Sequence, residues 1–260
     1  MTRRASPTGG AASLRRGGPG GLLSPVRLAA RLALLVAALL VALPLHGLWR
    51  LARRSSPWPR LFLAVVARIV GARVRTIGRP RRRNVVLLAD HLSWIDIPLL
   101  AGATGAAFVA KAELAGAPLV GWLCGLNHTL FVSRGDRLGV AGQINQLRGA
   151  LARDWPVAVF PEGTTSDGRT LLPFKAALLA ALDPAPPGLL VQPVRIDYGE
   201  ATEELAWFGE ESGLDHARRV LGRPGRFTAT LRFLDPFDPA DQPGRKAIAA
   251  EARRRIEGHG

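Results

Sequence analysis

The chain has 260 residues, 48% of them hydrophobic, which allows one large domain or two small ones and excludes disorder over most of its length. Its single cysteine, Cys124, excludes an intramolecular disulfide and a metal site built from cysteines. A formal net charge of +15 at pH 7 favours a polyanionic partner, either nucleic acid or an anionic membrane surface.

The N-terminal quarter divides into a polar tail and an apolar run. Residues 1–25 are rich in Gly, Ser, Pro and Arg without apolar periodicity, which predicts a flexible basic tail. Residues 32–45 (LALLVAALLVALPL) are uncharged, and with the flank through Trp49 the run approaches the roughly 18–20 residues that span a bilayer. A signal peptide and a buried soluble helix are open alternatives. The arginines on both sides favour a membrane anchor that spans or enters the bilayer.

An amphipathic stretch follows this run. LFLAVVARIVGARVR, residues 61–75, has apolar residues at helical spacing with arginines among them, and predicts a surface helix that turns into a strand. We therefore assign residues 26–78 to a membrane anchor and amphipathic helical segment, and residues 79–260 to the globular domain.

In the globular domain, strand-like runs alternate with helical stretches. The predicted strands are residues 84–89, 107–110, 129–132, 157–160, 189–196 and 227–233. The predicted helices are residues 138–154, 174–182 and 245–257. This alternation predicts an α/β fold with a mixed, largely parallel sheet flanked by helices.

The stretch NVVLLADHLSWIDIPLL, residues 84–100, places a histidine and an acid where a strand ends. Ser93 and Asp96 match a helix-capping pattern with Ser93 as N-cap. A helix that starts there would let Asp96 accept a hydrogen bond from one imidazole nitrogen of His91, leaving the other nitrogen as a general base. Alternatively, Asp96 only caps the helix and His91 is a polar loop residue.

Three further blocks follow in the chain. HTLFVSRGDR (128–137) puts Arg134 beyond a short strand, where it could hold an anion or simply be solvated. VFPEGTTSDGR (159–169) puts Glu162 in a turn at a strand end, where α/β domains usually place their sites. LLVQPVRI (189–196) places Pro193 inside a strand, which predicts an edge strand or a bulge.

With HLSWID (91–96), the blocks FVSR (131–134), FPEGTTS (160–166) and VQPV (191–194) resemble, in order and spacing, the four motifs of the glycerolipid acyltransferase family. That family includes the bacterial 1-acylglycerol-3-phosphate acyltransferases. The resemblance covers roughly residues 84–235, over half the chain. The preceding hydrophobic segment would then be the membrane anchor of a glycerolipid acyltransferase-like α/β domain.

The resemblance implies His91 and Asp96 as catalytic residues, with His91 removing a proton from a lysolipid hydroxyl that attacks a thioester. It implies Arg134, Glu162, Gly163 and Thr164 as contacts of the acceptor's polar head. The full set of implied substrate-binding residues is Arg134, Glu162, Gly163, Thr164, Thr165, Ser93, Lys111 and Pro193. No metal and no cofactor are implied, since acyl-CoA or acyl-acyl carrier protein is the co-substrate.

The resemblance implies membrane lipids, the lysolipid acceptor and the thioester donor as partners, and no nucleic acid. It implies a location at the inner (cytoplasmic) membrane, with the active site facing the cytoplasm. The first acceptor expected is 1-acylglycerol-3-phosphate, giving phosphatidic acid. A lyso-ornithine lipid is the alternative, because FVAKAELAGAPLVGWL and AWFGE resemble enzymes of that type. A non-catalytic basic membrane-binding protein is an alternative of another class.

Two residues depart from the family pattern. Asp90 stands where the family commonly has Asn, and it could raise the pKa of His91. Thr165 stands where the family commonly has an Arg that helps to bind phosphate, which weakens the case for a phosphate-bearing acceptor.

Overall fold

The structure, a computed structural model, describes residues 23–53, 55–112, 116, 124–126, 129–132, 139–151 and 155–259. The predicted basic tail lies almost wholly outside the described residues, as does Arg134. The backbone of Lys111 is described and its side chain is not.

The described residues form strands and helices, numbered here in chain order. The strands β1 to β7 are Ala72–Ile77, Val85–Ala89, Ala107–Lys111, Leu130–Val132, Val157–Val159, Leu190–Asp197 and Phe227–Phe233. The helices α1 to α7 are Ser24–Leu51, Trp58–Val70, Asp96–Thr104, Gly139–Leu151, Thr202–Leu205, Gly213–Gly222 and Arg245–Glu257. Short 3₁₀ turns lie at Leu178–Leu182, Gly199–Ala201 and Pro239–Asp241.

The strands form one sheet in the order β1-β7-β6-β2-β5-β3-β4. The five strands from β6 to β4 are mutually parallel, and β7 joins β6 antiparallel and β1 parallel. The prediction of a mixed, largely parallel sheet is confirmed. The sheet begins at β1, so residues 72–77 of the segment grouped with the anchor form its edge strand.

The central strand β2 shows how the sheet is buried on both faces. Its side chains alternate between two apolar clusters: Val85, Leu87 and Ala89 face one, and Val86 and Leu88 face the other. Helices α2, α3 and α6 contribute to the first cluster, and α4 and α7 to the second. A strand covered on both faces has a continuous apolar sequence, as VVLLA does.

Helix α1 is long and apolar enough to cross a membrane by its length and composition, with a mean hydropathy of 2.4 over its most apolar window. Arg27 and Arg31 near its start donate to the carbonyls that end α6, including Gly222 O at 3.0 Å. Near its other end, His46 Nδ1 lies 2.8 Å from Ser56 Oγ, just before α2. The helix therefore runs back along α2. Large apolar side chains of α1 are exposed: Leu32, Leu34, Val36, Leu40, Val41 and Leu48.

The predicted helix over residues 174–182 is wrong. The chain there is irregular up to the 3₁₀ turn Leu178–Leu182. The hydrogen bonds of this turn span three residues, from Leu179 N to Ala176 O at 3.1 Å and from Ala180 N to Ala177 O at 3.3 Å. The residues before it follow the neighbouring loop, to which Lys175 N is bonded through Pro161 O at 2.8 Å.

Of the two alternatives expected at Pro193, the edge strand is wrong, because β6 lies between β2 and β7. The bulge agrees with the register: Val194 pairs with Phe233 and Val191 with Phe237, so the partner has one extra residue opposite Pro193. Pro193 O accepts from Leu234 N at 3.0 Å, but proline has no N–H to return the bond. The carbonyl of Leu234 instead accepts from the side-chain amide of Gln192 at 3.0 Å. A buried glutamine thus replaces the missing ladder bond.

The crossing of α2 and α3 predicts a packing test at Gly102. A Cβ at Gly102 would lie 2.9 Å from Ala64 Cα, whereas one at Gly149 in α4 would meet nothing within 4 Å. We expect Gly102→Ala to lower the free energy of unfolding by about 1–3 kcal/mol through overpacking. Gly149→Ala, the matched control, should not lower it. Thermal unfolding of both variants measures this, and equal midpoints would contradict the close approach.

Candidate active site

The candidate site lies where three neighbouring parallel strands end. His91 follows β2, Glu162 follows β5 and Tyr198 follows β6, and β2 lies between the other two strands. The carboxyl ends of parallel strands meet at one edge of a sheet, which is where open α/β sheets bind ligands. The topology therefore brings together residues up to 107 positions apart, from His91 to Tyr198.

The predicted His91–Asp96 contact is present. Asp96 Oδ2 lies 2.9 Å from His91 Nδ1 and also accepts from the backbone amides of Leu92, at 2.7 Å, and Ser93, at 2.9 Å. The three bonds close residues 91–95 into a turn before α3, so that residues five apart can meet. Because this oxygen only accepts, the imidazole proton sits on Nδ1, and Nε2 is the nitrogen with a free lone pair.

The hydrogen bonds of the predicted capping pattern are present, but the helix starts later than expected. Ser93 is fully buried; its amide donates to Asp96 Oδ2 at 2.9 Å, and its Oγ accepts from Ile95 N at 3.3 Å. Helix α3 itself begins at Asp96 with Ile95 at the cap position. The expected contact of Ser93 with substrate stays a prediction.

Tyr198 completes the shell of Asp96. Its hydroxyl donates to Asp96 Oδ1, and its ring is buried against the edge of Phe227. Burial and the neighbouring carboxylate raise the pKa of Tyr198 well above 10, so that the hydroxyl keeps its proton and remains a donor. Tyr198 was not among the site residues predicted from the sequence. The one sequence signal for it is that it closely follows a predicted strand, as His91 and Glu162 do.

Glu162 holds the backbone on the other side of His91. Its side chain is buried; Oε1 accepts from His91 N at 2.8 Å and Oε2 from Leu172 N at 2.8 Å. Burial raises the pKa of Glu162, against the effect of these two hydrogen bonds. Arg253 of α7 binds the carbonyls of Leu171 and Leu172 at 3.0 and 3.1 Å. Glu162 thus positions the loop, while its expected contact with the acceptor head stays a prediction.

The His91 ring is fixed by stacking and remains accessible. The ring of Phe160 lies parallel to the imidazole, at 9° and 3.9 Å between centroids, and Phe108 stacks behind it. Ser166 N donates to His91 O at 2.8 Å, which fastens the FPEGTTS turn to the histidine. The His91 side chain is 17% exposed, and its Nε2 has no hydrogen-bond partner within the part of the chain that the structure describes.

Asp90, the acid that replaces the common Asn, points away from the imidazole into the sheet. Its Oδ1 accepts from Ile196 N at 2.7 Å, and its Oδ2 pairs with Arg195 at 3.0 Å. The side chain extends the β2–β6 ladder by one bond beyond its last pair, Ala89 and Val194. Asp90 therefore joins the end of β2 to β6. It serves the strand pairing that precedes His91.

Trp94 of the HLSWID block is held by His216. The imidazole is buried; Nε2 donates to Leu205 O at 3.0 Å, and Nδ1 accepts from Trp94 Nε1 at 3.0 Å. Burial lowers the pKa of His216, which favours the neutral ring that this pattern requires. Trp207 packs on the same ring, and its amide donates to Leu92 O at 2.8 Å. These contacts fix the outer side of the turn.

The remaining predicted residues lie in several places. Gly163, Thr164 and Thr165 form the turn after Glu162, with Thr164 exposed and Thr165 half-buried. Pro193 is buried within β6. Among the described residues, no group of three or more His, Cys, Asp or Glu side chains is placed to hold a metal ion.

The bond from Tyr198 to Asp96 predicts a loss of stability when the hydroxyl is removed. Tyr198→Phe keeps the ring but leaves a buried carboxylate oxygen without a donor, which costs about 1–3 kcal/mol. Denaturant unfolding measures the change. A midpoint equal to that of the wild type would contradict the role of the hydroxyl as a donor.

The environment of Asp90 predicts how stability varies with pH. Burial raises the pKa of Asp90 well above its usual value, against the opposing pull of Arg195. Because the folded protein then binds this proton more tightly than the unfolded chain, the contribution of Asp90 to stability is complete below about pH 4. That contribution is lost as the pH rises through the raised pKa of the folded state.

Asp90→Asn should therefore flatten the pH dependence, because Asn retains an acceptor for Ile196 N but does not titrate. Between about pH 4 and 7 the free energy of unfolding should fall less steeply with pH than in the wild type. The slope is the readout, since the substitution also alters the contact with Arg195 and so changes the absolute free energy of unfolding. Asp241→Asn, at an exposed position, is the control. Equal slopes for wild type and Asp90→Asn would contradict the prediction.

The comparisons with known proteins agree with this site. The family described as Acyltransferase matches residues 73–197. The lyso-ornithine lipid O-acyltransferase of Rhodobacter capsulatus is 34% identical over 89% of this chain and 84% of its own. That of Brucella abortus is 30% identical over 90% and 94%. The 1-acyl-sn-glycerol-3-phosphate acyltransferase of Neisseria gonorrhoeae is 33% identical over 66% and 69%.

A solved structure supports the fold. The crystal structure of the 1-acyl-sn-glycerophosphate (LPA) acyltransferase PlsC from Thermotoga maritima matches with a TM-score of 0.60 and 24% identity, over 90% of this chain and 97% of that one. The identity and coverage of the relatives, together with the four motifs, establish that the chain belongs to the glycerolipid acyltransferase family.

Proposed function

We propose that this protein transfers an acyl chain from a thioester donor to the free hydroxyl of a lysolipid, with lyso-ornithine lipid as the first acceptor. One observation carries the proposal: Asp96 fixes the Nδ1–H of His91, and the side chain that carries the unpaired Nε2 is 17% exposed among the described residues. An oriented imidazole of this kind is the usual general base for deprotonating a hydroxyl near neutral pH.

The reaction then follows from this base. Nε2 takes the proton of the lysolipid hydroxyl while its oxygen attacks the thioester carbonyl. The tetrahedral intermediate collapses with cleavage of the C–S bond, and His91 returns the proton to the departing thiolate. The products are an ester and the free thiol of CoA or of the acyl carrier protein. Asp96 stabilises the transient imidazolium without taking its proton.

The choice of acceptor rests on relatives and on one residue. The sequence analysis placed 1-acylglycerol-3-phosphate first. Relatives named as lyso-ornithine lipid O-acyltransferases align with 89–90% of the chain in two bacteria, whereas one named for 1-acylglycerol-3-phosphate aligns with 66%. Thr165 also lacks the positive charge that a phosphate ester would favour. Both observations support the lyso-ornithine lipid, and 1-acylglycerol-3-phosphate is the second candidate.

An apolar groove beside the catalytic turn suits an acyl chain. It has a volume of about 530 Å³ and lies between α1, α2 and the start of α3. Its lining includes Leu39, Leu43, Phe62, Val66, Trp94 and Ile97. Because Trp94 and Ile97 flank the turn that carries His91, a chain in this groove would end near the base.

The same helices support association with a membrane. Helix α1 is hydrogen-bonded to the end of α6 near its start and to Ser56, just before α2, near its end. Its exposed apolar side chains lie on the surface that these contacts leave uncovered. This arrangement favours a helix that enters the lipid from one side. The inner membrane with a cytoplasmic active site is part of the proposal, since the thioester donors are cytoplasmic.

The test is an acceptor panel with one labelled acyl-acyl carrier protein and the purified protein. Transfer to lyso-ornithine lipid should exceed transfer to 1-acylglycerol-3-phosphate. His91→Ala should lower kcat by about 100-fold or more, because general base catalysis contributes that much. His259→Ala, at an exposed position near the C-terminus, should retain wild-type activity.

Two outcomes would contradict the proposal. Full activity of His91→Ala would remove His91 as the base. A clear preference for 1-acylglycerol-3-phosphate would replace the first acceptor by the second.

A further inference from the structure

Lys175 stands beside the FPEGTTS turn, in the segment that was expected to be helical. Its backbone N–H is bonded to Pro161 O at 2.8 Å, which places its side chain across the turn. A Cβ built on Gly163 would lie 3.1 Å from Lys175 Nζ and 3.3 Å from its Cδ. Gly163 has a φ of +72°, so the ammonium approaches a backbone that carries no side chain there.

Lys175 is exposed, and its ammonium has no hydrogen-bond or ion-pair partner among the residues that the structure describes. Glu162, the acid in the same turn, is buried and has both oxygens on backbone amides. The positive charge over Gly163 is therefore available to a ligand.

Two neighbouring residues add donors at the same place. Thr164 is exposed and Thr165 is half-buried, and neither hydroxyl is bonded to another described residue. An ammonium and two hydroxyls together make a surface suited to a carboxylate or a phosphate oxygen.

This surface is rigidly connected to the base. The turn is fastened to His91 twice, by Glu162 to the histidine amide and by Ser166 to its carbonyl. An anion held at the turn is thus held at a fixed position relative to the imidazole. For a lysolipid, that contact would orient the head group while the hydroxyl meets Nε2.

We propose that Lys175 binds the anionic group of the acceptor's head, supplying the charge that Thr165 does not. The inference rests on the proposed function and assigns its acceptor contact. The ligand chemistry is an anionic oxygen group, which is the α-carboxylate in lyso-ornithine lipid and the phosphate in 1-acylglycerol-3-phosphate.

Steady-state kinetics of Lys175→Gln test the contact. The KM for the acceptor should rise about tenfold or more, the usual effect of losing a hydrogen bond to a charged group. The kcat should stay within about threefold, since the base is untouched. Lys175→Arg should restore most of the affinity, and Lys246→Gln, at an exposed position of α7, should match the wild type. An unchanged KM, or a loss confined to kcat, overturns the proposal.

A chemical counterpart identifies the group that Lys175 meets. With the methyl ester of lyso-ornithine lipid, which lacks the carboxylate, the wild-type KM should rise to that of Lys175→Gln with the free acid. The variant should lose little more with the ester, because the interaction is already absent. Equal and additive losses would mean that Lys175 and the carboxylate do not meet. The same comparison with 1-acylglycerol-3-phosphate and its phosphate methyl ester shows whether Lys175 binds the phosphate of that acceptor instead.

Equilibrium binding without donor separates this inference from the catalytic proposal. If the wild type binds lyso-ornithine lipid about tenfold more tightly than Lys175→Gln does, the contact stands even if no acyl transfer is found. If transfer occurs and both proteins bind alike, the contact is refuted and the function stands.

Discussion

The buried carboxylate of Asp96 is the group on which the site depends. A carboxylate removed from water must be satisfied by donors, and Asp96 has four: an imidazole, two backbone amides and a phenol. Because three of the donors belong to His91, Leu92 and Ser93, satisfying the charge also bends the chain into the turn that carries His91. The same interaction therefore sets the backbone, the tautomer and the ring orientation.

Two other buried carboxylates near the end of β2 are also satisfied by backbone amides. Asp90 accepts the amide of Ile196 in β6, and Glu162 accepts the amides of His91 and Leu172. Each buried acid joins the end of β2 to a neighbouring strand or loop through backbone donors, which carry no net charge. An otherwise basic protein thus holds three acids at one edge of its sheet, with a full cation, Arg195, paired directly to only one of them among the described residues.

The sequence-based predictions are correct where a feature depends on neighbouring residues, and they fail where it depends on contacts between distant parts of the chain. Strand positions and the His91–Asp96 pair depend on local pattern and a short turn, and the structure contains both. The capping bonds of Ser93 are present, but α3 starts two residues later than they predict. Residues 174–182 form only a 3₁₀ turn, because the chain before it is bonded to a neighbouring loop. Pro193 lies in an interior strand because Gln192 replaces its bond. Tyr198 reaches Asp96 only through strand order, which periodicity does not reveal.

The residues that orient His91 are different from the residues that we propose to contact the substrate. Asp96, Tyr198 and Glu162 are buried and hydrogen-bonded within the protein. Thr164, in the FPEGTTS turn, and Lys175, beside that turn, are exposed. A substitution on the exposed turn can therefore change the head group that is bound without moving the imidazole. A family built this way can contain relatives named for different lysolipid acceptors, as the relatives of this chain are. Under the proposed function, acceptor identity would therefore depend on the surface of the turn, and catalysis on His91 and the buried acid that orients it.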